Sequence, residues 1–411
     1  MADSGTEAVD RGMDKIGWAR AHMDILEGIR ARFKKELPFR GKTLSLVLHV
    51  EAKTAALALA LKAGGADVHL AASNPLTTDD QVVAGLLSQG IDTLAKKGES
   101  AQDYQHGIDA MLAADPDIII DDGADLVAAA LQRGRTVIGS TEETTTGVVR
   151  LRAMEKDGKL RWPAIDVNDA TMKHLFDNRY GTGQSTLDGI FTATNLTIAG
   201  RTAVVAGYGW CGKGVASRLR GLGAEVIVTE VDPAKAVEAR LEGFRVLPML
   251  DAVKEADLIV TVTGCLDVLT RKHFAVMKDG CLLANSGHFD VEVNTKDLAR
   301  LAVRHRKVRP MVEEFTFRDG RKAYLLAEGR LVNLSAGQGH PVEIMDMSFA
   351  LQALSAEYLV TSGKKLKPGV HAVPQELDDQ VASAALQARG IKIDRLSETQ
   401  KRYLSSWQEG T

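Results

Sequence analysis

Gly207, Gly209 and Gly212 keep G-x-G-x-x-G spacing directly after the apolar run 202–206, and Glu230 closes a second apolar run twenty-three residues after the first glycine. Strand, glycine turn, helix, strand and terminal acid together describe a dinucleotide-binding unit. Gly207 permits the tight turn, Gly209 lets backbone N–H groups approach a pyrophosphate at the helix N-terminus, and Gly212 allows close packing. Glu230 can accept hydrogen bonds from a ribose diol and would repel a 2′-phosphate, so NAD is expected over NADP. Lys235 lies close enough to soften that argument.

A second set of reactive residues lies outside this unit. His49, Asp122 and Glu143 each follow an apolar run, and in a parallel sheet ligands sit beyond the carboxyl ends of the strands, which gathers the three around one crevice. The competing reading makes Asp122 and Glu143 helix caps or first-turn acids. Thr144, Thr145 and Thr146 form a hydroxyl run suited to a sugar or nicotinamide edge, or to a turn. Lys173 and Asp177 stand four apart on one predicted helix face, followed by Asn178. An exposed ion pair would look the same, although Lys before Asp is the weaker orientation. Thr263, Asn285 and His288 follow later strands, and Asn333 and His340 lie in a glycine-rich return segment. A lone loop histidine such as His288 also has an ordinary structural reading.

Positioning these groups requires two α/β units. The first 40 residues look helical; then strand 43–49, helix 51–63 and strand 66–71 start one unit, continued by strands 117–121 and 136–139. Gly181, Thr182 and Gly183 read as a hinge or boundary before helix 185–194, and strands 257–262 and 280–284 extend the cofactor unit. An amphipathic helix, 343–359, is expected to cross back to the first unit. The expected fold is α/β, with two doubly wound, Rossmann-like parallel-sheet domains, the first of them discontinuous. The divisions fall at 1–183, 184–341, 342–389 and a short tail, 390–411.

Length and composition agree with small-molecule chemistry. A chain of 411 residues exceeds what one core usually holds. Lys+Arg of 51 against Asp+Glu of 54 leaves a net charge of -3, without the basic surplus of a nucleic-acid footprint. Cys211, Cys265 and Cys281 show no C-x-x-C spacing, so neither a disulfide framework nor a metal site is indicated and a reducing cytoplasm fits. The opening MADSGTEAVDRGMDK lacks the apolar core of a signal peptide, and no run approaches the ~18 apolar residues of a membrane span. A soluble, unsecreted chain is expected.

The strings HVEAKTA, SNPLTTDD, IIDDGADL, STEETTTGV, KHLFDNRYG, VVAGYGWCGKG, TVTGC, NSGHFDVE, LAEGRLVNL and GHP closely resemble the S-adenosyl-L-homocysteine hydrolase family over most of the chain. The resemblance implies a substrate domain made from both chain ends, a central NAD domain and a homotetramer acting on a nucleoside and homocysteine. It implies active-site roles for His49, Asp122, Glu143, Lys173, Asp177, His288 and His340, and NAD contacts for Thr144 to Thr146, Asn178, Glu230, Lys235, Thr263, Asn285 and Asn333. Glu51, Lys53 and Thr54 fall near the purine. Direct cleavage of a C5′–S thioether is difficult; oxidising the 3′-hydroxyl to a ketone acidifies the C4′ proton and makes elimination possible. On that scheme Lys173, held by Asp177 and tuned toward neutrality, moves the 3′-oxygen proton. Asp122 takes the C4′ proton, His49 assists at C5′ and Glu143 orients the ribose hydroxyls.

Departures from the family pattern carry their own expectations. The ending RLSETQKRYLSSWQEGT lacks the lysine and tyrosine tail of many members, as in the shorter archaeal and thermophile-type branch, so easier NAD exchange is expected. Thr182 replaces a common cysteine, and Trp210 and Cys211 enter the glycine loop. Glu51 and Lys53 replace a threonine and a glutamate or glutamine near the purine. A lysine only donates, which suits the 6-oxo group of hypoxanthine or a ring nitrogen of adenine. Adenosyl and inosyl thioethers are both candidate substrates. The alternatives are a nucleoside 4′,5′-dehydratase that stops after elimination and a non-catalytic nucleotide-binding paralogue.

Overall fold

Apolar runs bounded by glycine and acidic residues become strands buried on both faces, as parallel strands between helices must be. The computed structural model describes residues 5–407. Strands β1 (Lys42–Leu48), β2 (Ala66–Ala72), β3 (Asp92–Leu94), β4 (Ile118–Asp121), β5 (Gly139–Glu142) and β6 (Pro163–Asp166) belong to one sheet. Strands β7 (Thr202–Ala206), β8 (Glu225–Thr229), β9 (Arg245–Val246), β10 (Leu258–Thr261), β11 (Cys281–Asn285), β12 (Ala302–Arg309), β13 (Val312–Phe317) and β14 (Lys322–Leu326) form the second. Strand β15 (Gly369–Ala372) returns to the first sheet, pairing parallel with β6.

The first sheet has the order β15-β6-β5-β4-β1-β2-β3 and is parallel throughout. The order in which strands are added reverses between β1 and β4, the kind of switch point where ligands bind. The second sheet, β12-β13-β14-β11-β10-β7-β8-β9, switches between β7 and β10. Both are doubly wound, but the second is not wholly parallel. An antiparallel pair, β12 and β13, extends its edge beside β14. Strand β12 is largely exposed and rich in Arg, which hid it from a search for apolar runs.

Three local expectations need correction. The strand placed at 136–139 starts at Gly139 and ends at Glu142, because pairing with β4 begins at Ile118 with Gly139. Buried Ser140, Thr141 and Glu142 make the strand too polar to recognise. Gly181, Thr182 and Gly183 are helical rather than a break before a helix at 185: π-helix His174–Gly181 runs directly into helix Thr182–Thr194. Their glycines serve close approach. A Cβ on Gly181 would lie 2.9 Å from the His340 ring, and one on Gly183 would lie 2.7 Å from the Gly214 backbone. The return helix, Val342–Ser362, is buried along Met345–Ala356 rather than amphipathic. It crosses the first core between helix Asp24–Glu36 and β5, so both its faces meet protein.

Candidate active site

The carboxyl ends of β4 and β5 each carry two adjacent acids, and strand alternation sends the members of each pair opposite ways. The inner members, Asp121 and Glu142, are register partners and fully buried. Asp121 accepts from the Asp122 and Val127 amides at 3.0 and 2.9 Å, and Glu142 Oε1 accepts from the Gly123 and Thr144 amides at 2.9 Å each. Burial pushes the Asp121 carboxyl up to about 7, and burial beside Asp121 raises Glu142 well above the usual range. The outer members, Asp122 and Glu143, line a cavity of about 1120 Å³. Neither is a helix cap; those positions belong to Ala124 and Thr144.

His49, after β1, and His288, after β11, approach Asp122 from different units. His49 Nε2 is 3.2 Å from Asp122 Oδ2, and His288 Nδ1 is 3.6 Å from Asp122 Oδ1. Thr77 Oγ1 holds the other His49 nitrogen at 2.8 Å. Burial pulls the His49 imidazole down to about 4 against the opposing pull of Asp122, so it is neutral near pH 7. The ligand atoms of His49, Asp122 and His288 lie within 4.8 Å of one another, close enough to hold a metal ion. Cysteine spacing could not have revealed that grouping.

Lys173 and Asp177 are buried, with side chains 5% and 3% exposed, which removes the surface-pair reading. The helix tightens and then widens here. Thr171–Lys173 is a single α turn and His174–Gly181 is π-helical, which sets Lys173 against both Asp177 and Asn178. Lys173 Nζ donates to Asn178 Oδ1 at 2.8 Å and stands 3.3 Å from Asp177 and 3.4 Å from Glu143. Burial works against the ammonium, but Asp177, Glu143 and Asp122 outweigh it and raise Lys173 above its ordinary value. Tuning toward neutrality is therefore not what this environment does. Asp177 also receives Ser348 Oγ at 2.7 Å and His340 Nδ1 at 3.0 Å; burial favours its neutral form, yet Lys173 and His340 hold it below the carboxylate range. Burial instead pushes Glu143 up to about 7, against the pull of Lys173.

Glu51, Lys53, Thr54 and His340 line the same cavity, with Met345 and Phe349 as apolar neighbours. Glu51 caps helix Ala52–Ala63 through the Lys53 and Thr54 amides. Lys53 Nζ lies 2.9 Å from Glu51 Oε2 and donates to the Gln338 carbonyl at 2.9 Å.

Gly207, Gly209, Glu230, Lys235, Thr144 to Thr146, Asn178, Thr263 and Asn333 line the remainder of the cavity. Gly207 has φ +100°, reserved in practice for glycine. A Cβ on Gly212 would fall 1.9 Å from the Gly207 carbonyl, whereas one on Gly209 would meet nothing within 4 Å. Gly212 is thus a packing position and Gly209 an open one, facing space beside the N-terminus of helix Trp210–Gly221. Glu230 takes the Tyr208, Val231 and Asp232 amides and, despite burial, stays below the usual carboxylate range. Asn333 Oδ1 is buried without a partner. Open glycine backbone, an anionic acceptor and an orphaned amide oxygen fit a dinucleotide.

Asn285 does not join this wall. Its fully buried amide is committed to the Gly287, Phe289 and Gly329 carbonyls and the Gly287 amide, as an anchor for the His288 loop. Sequence reasoning missed Glu292, which holds Thr263 and Gly264, and Gln352, which holds Glu143. Glu292 closes the NSGHFDVE string and offered a proximity signal; Gln352, inside an apolar helix, offered only its polarity.

Comparison with known proteins agrees with this geometry. Residues 4–136 match the family described as S-adenosyl-L-homocysteine hydrolase, and residues 178–339 match its NAD binding domain. The chain is 55% identical over 407 residues to adenosylhomocysteinase of Aquifex aeolicus, covering 98% of this chain and 97% of that one. Adenosylhomocysteinase of Pyrococcus abyssi is 54% identical over 97% of this chain and 96% of its own. S-inosyl-L-homocysteine hydrolase of Methanocaldococcus jannaschii is 53% identical over 97% of both. Among the described residues no helix is long and apolar enough to cross a membrane. Identity above one half along nearly the whole of each relative, joined to a glycine cradle for NAD beside a buried Lys173 and its carboxylates, makes this chain a member of the S-adenosyl-L-homocysteine hydrolase family.

Proposed function

We propose that the chain catalyses the reversible, redox-neutral hydrolysis of S-adenosyl-L-homocysteine or S-inosyl-L-homocysteine to nucleoside and homocysteine, by C4′/C5′ elimination from a 3′-keto form of the substrate. The carrying observation is the buried Lys173 ammonium between Asp177 and Glu143, in the cavity that also holds the glycine cradle. Bound NAD supplies oxidation at the 3′-carbon and its later reversal. Lys173 moves the 3′-oxygen proton toward its carboxylates; Glu143, pushed up to about 7, is a better acceptor than Asp177. Asp122 takes the C4′ proton, acidic beside a ketone. His49, neutral near pH 7, serves at C5′ as base for the entering water, and His288 steadies Asp122 from the cofactor side.

Domain boundaries at 183, 341 and 389, a homotetramer and a cytoplasmic setting belong to the same reading. The return of β15 to the first sheet supports a discontinuous substrate domain, and the family resemblance supports the other two.

The base pocket favours a relaxed purine preference. Both Glu51 oxygens already accept from the Lys53–Thr54 turn, whereas Lys53 Nζ has two of its three donors engaged, by Glu51 and Gln338. The third suits a 6-oxo group or a ring nitrogen. Hydrolysis of adenosyl and inosyl thioethers by the purified protein, with products identified by mass, tests both points. Homocysteine from both substrates is expected. Rejection of the inosyl thioether sinks the base assignment; accumulation of a 4′,5′-ene would mark a dehydratase, and no conversion of either a non-catalytic paralogue.

A further inference from the structure

The return helix Val342–Ser362 comes from the far end of the first unit, yet it delivers two polar side chains to the catalytic carboxylates. Ser348 and Gln352, four residues apart, share one helix face. Ser348 Oγ donates to Asp177 Oδ2 at 2.7 Å, and Gln352 Nε2 donates to Glu143 Oε2 at 2.6 Å. Both donors are fully buried. The helix thus steadies both acids flanking Lys173.

Gln352 is oriented in turn by β5. Thr141 Oγ1, also fully buried, donates to Gln352 Oε1 at 2.5 Å. A primary amide with its oxygen engaged by a donor can turn only its N–H₂ toward Glu143, so Thr141 fixes which end faces the acid. With Oε2 tied to Gln352, Glu143 keeps Oε1, which has no hydrogen-bond partner in the protein and lies 3.4 Å from Lys173 Nζ. Glu143 lines the large cavity, so this orphaned acceptor is available to a hydroxyl bound there.

We propose that Gln352 is a positioning residue: through the chain Thr141–Gln352–Glu143 it holds the Glu143 carboxylate charged and presents Oε1 to Lys173 and to the ribose hydroxyls. The inference rests on the hydrolase reading above. The charged groups facing Glu143 are Lys173 and Asp177 from the helix and Asp122 from the end of β4. The return helix faces it with the neutral amide of Gln352. A hydrogen bond donated to a carboxylate favours the charged form. Losing it lets Glu143 take a proton at higher pH.

The test uses two variants of the NAD-loaded protein. Gln352→Leu keeps the size and removes the amide; Thr141→Val keeps the shape of β5 and frees the amide to turn over. For Gln352→Leu the acid limb of kcat/KM for the thioether should move to higher pH, with a loss of about tenfold at pH 6 that shrinks toward pH 9. Thr141→Val should shift the same limb by less, with an unchanged unfolding midpoint. Adenosine affinity by calorimetry, which needs no turnover, should weaken with the same pH dependence. A uniform loss at every pH with a lowered unfolding midpoint, or a profile identical to wild type, overturns the inference. A wild-type protein that binds adenosine but never yields homocysteine overturns the hydrolase reading; adenosine affinities of the two variants then decide the role of Gln352 alone.

Discussion

Glu292 and Thr263 are joined twice: Glu292 Oε2 accepts from the Thr263 hydroxyl at 2.7 Å and from the Thr263 amide at 2.9 Å. Its Oε1 takes the Gly264 amide at 2.8 Å, and a Cβ on Gly287 would lie 1.9 Å from that oxygen. One buried carboxylate therefore braces the loop after β10, on the cofactor wall, against the loop that carries His288.

Glu292→Gln puts an N–H₂ group where backbone donors already point. Hydrogen bonds to a charged group are worth about 1.5–3 kcal/mol, so the variant should bind NAD roughly ten to a hundred times more weakly. Equilibrium titration of cofactor-free protein with NAD measures this. Unchanged affinity would show that the loop holds its shape without the carboxylate.

Gly214 supplies a second test, because helix Trp210–Gly221 lies directly on the π-helix that carries Asp177 and Asn178. A Cβ on Gly214 would fall 1.8 Å from the Arg179 carbonyl, a backbone atom that cannot swing aside. Gly214→Ala must push the two units apart at the Lys173 segment. A stability loss of about 1–3 kcal/mol is expected, with weaker NAD binding. Gly221→Ala on the same helix, where nothing lies within 4 Å, is the control and should be silent in both measurements.

Burial of His49 makes stability depend on pH with a definite sign. The imidazole sits near 4 in the folded protein and near 6.5 when unfolded, so between those values the unfolded chain binds the extra proton. Stability should fall from about pH 6.5 toward pH 4, by as much as about 3 kcal/mol from this residue. In His49→Gln the acid-side decline in unfolding midpoint should be shallower. The same variant should lose hydrolysis while retaining adenosine-dependent reduction of bound NAD, since His49 is assigned to C5′ rather than to the 3′-oxygen. Equal loss of both partial reactions would contradict that assignment.

The cofactor unit was legible because its signal is local. Gly207, Gly209, Gly212 and Glu230 occupy one short stretch, and the structure gives Gly207 a positive φ, sets Gly212 against a carbonyl and leaves Gly209 facing open space. The outer acids Asp122 and Glu143 were legible from topology, since strand ends in a parallel sheet define a crevice. Asn285 misled because its position after an apolar run says nothing about which way its amide turns. The protonation of Lys173 was not legible either: it depends on three carboxylates converging from β4, β5 and the π-helix. Gln352 was hidden by distance, 209 residues from Glu143 in the chain.

Asp177 is the residue whose charge the site most depends on. It receives Ser348, His340 and Lys173 together, and its carboxyl is held below the usual range. Asp177→Asn preserves the shape but removes the anion, leaving Lys173 with Glu143 and Asp122. Lys173 should then be less firmly protonated, and its grip on the 3′-oxygen should fail in the transition state more than in binding. Adenosine-dependent NAD reduction is expected to slow by roughly 10²–10³-fold, with a much smaller change in adenosine affinity. Stability carries the same pH sign as for His49, in a more acidic window. A depressed carboxyl stabilises the fold above the unfolded value near 3.9, and that contribution is lost as pH falls through the folded value. The unfolding midpoints of wild type and Asp177→Asn should therefore be fully separated above about pH 4 and draw together as pH falls below it. A separation that does not narrow as pH falls below about 4 would place the effect in packing rather than in charge.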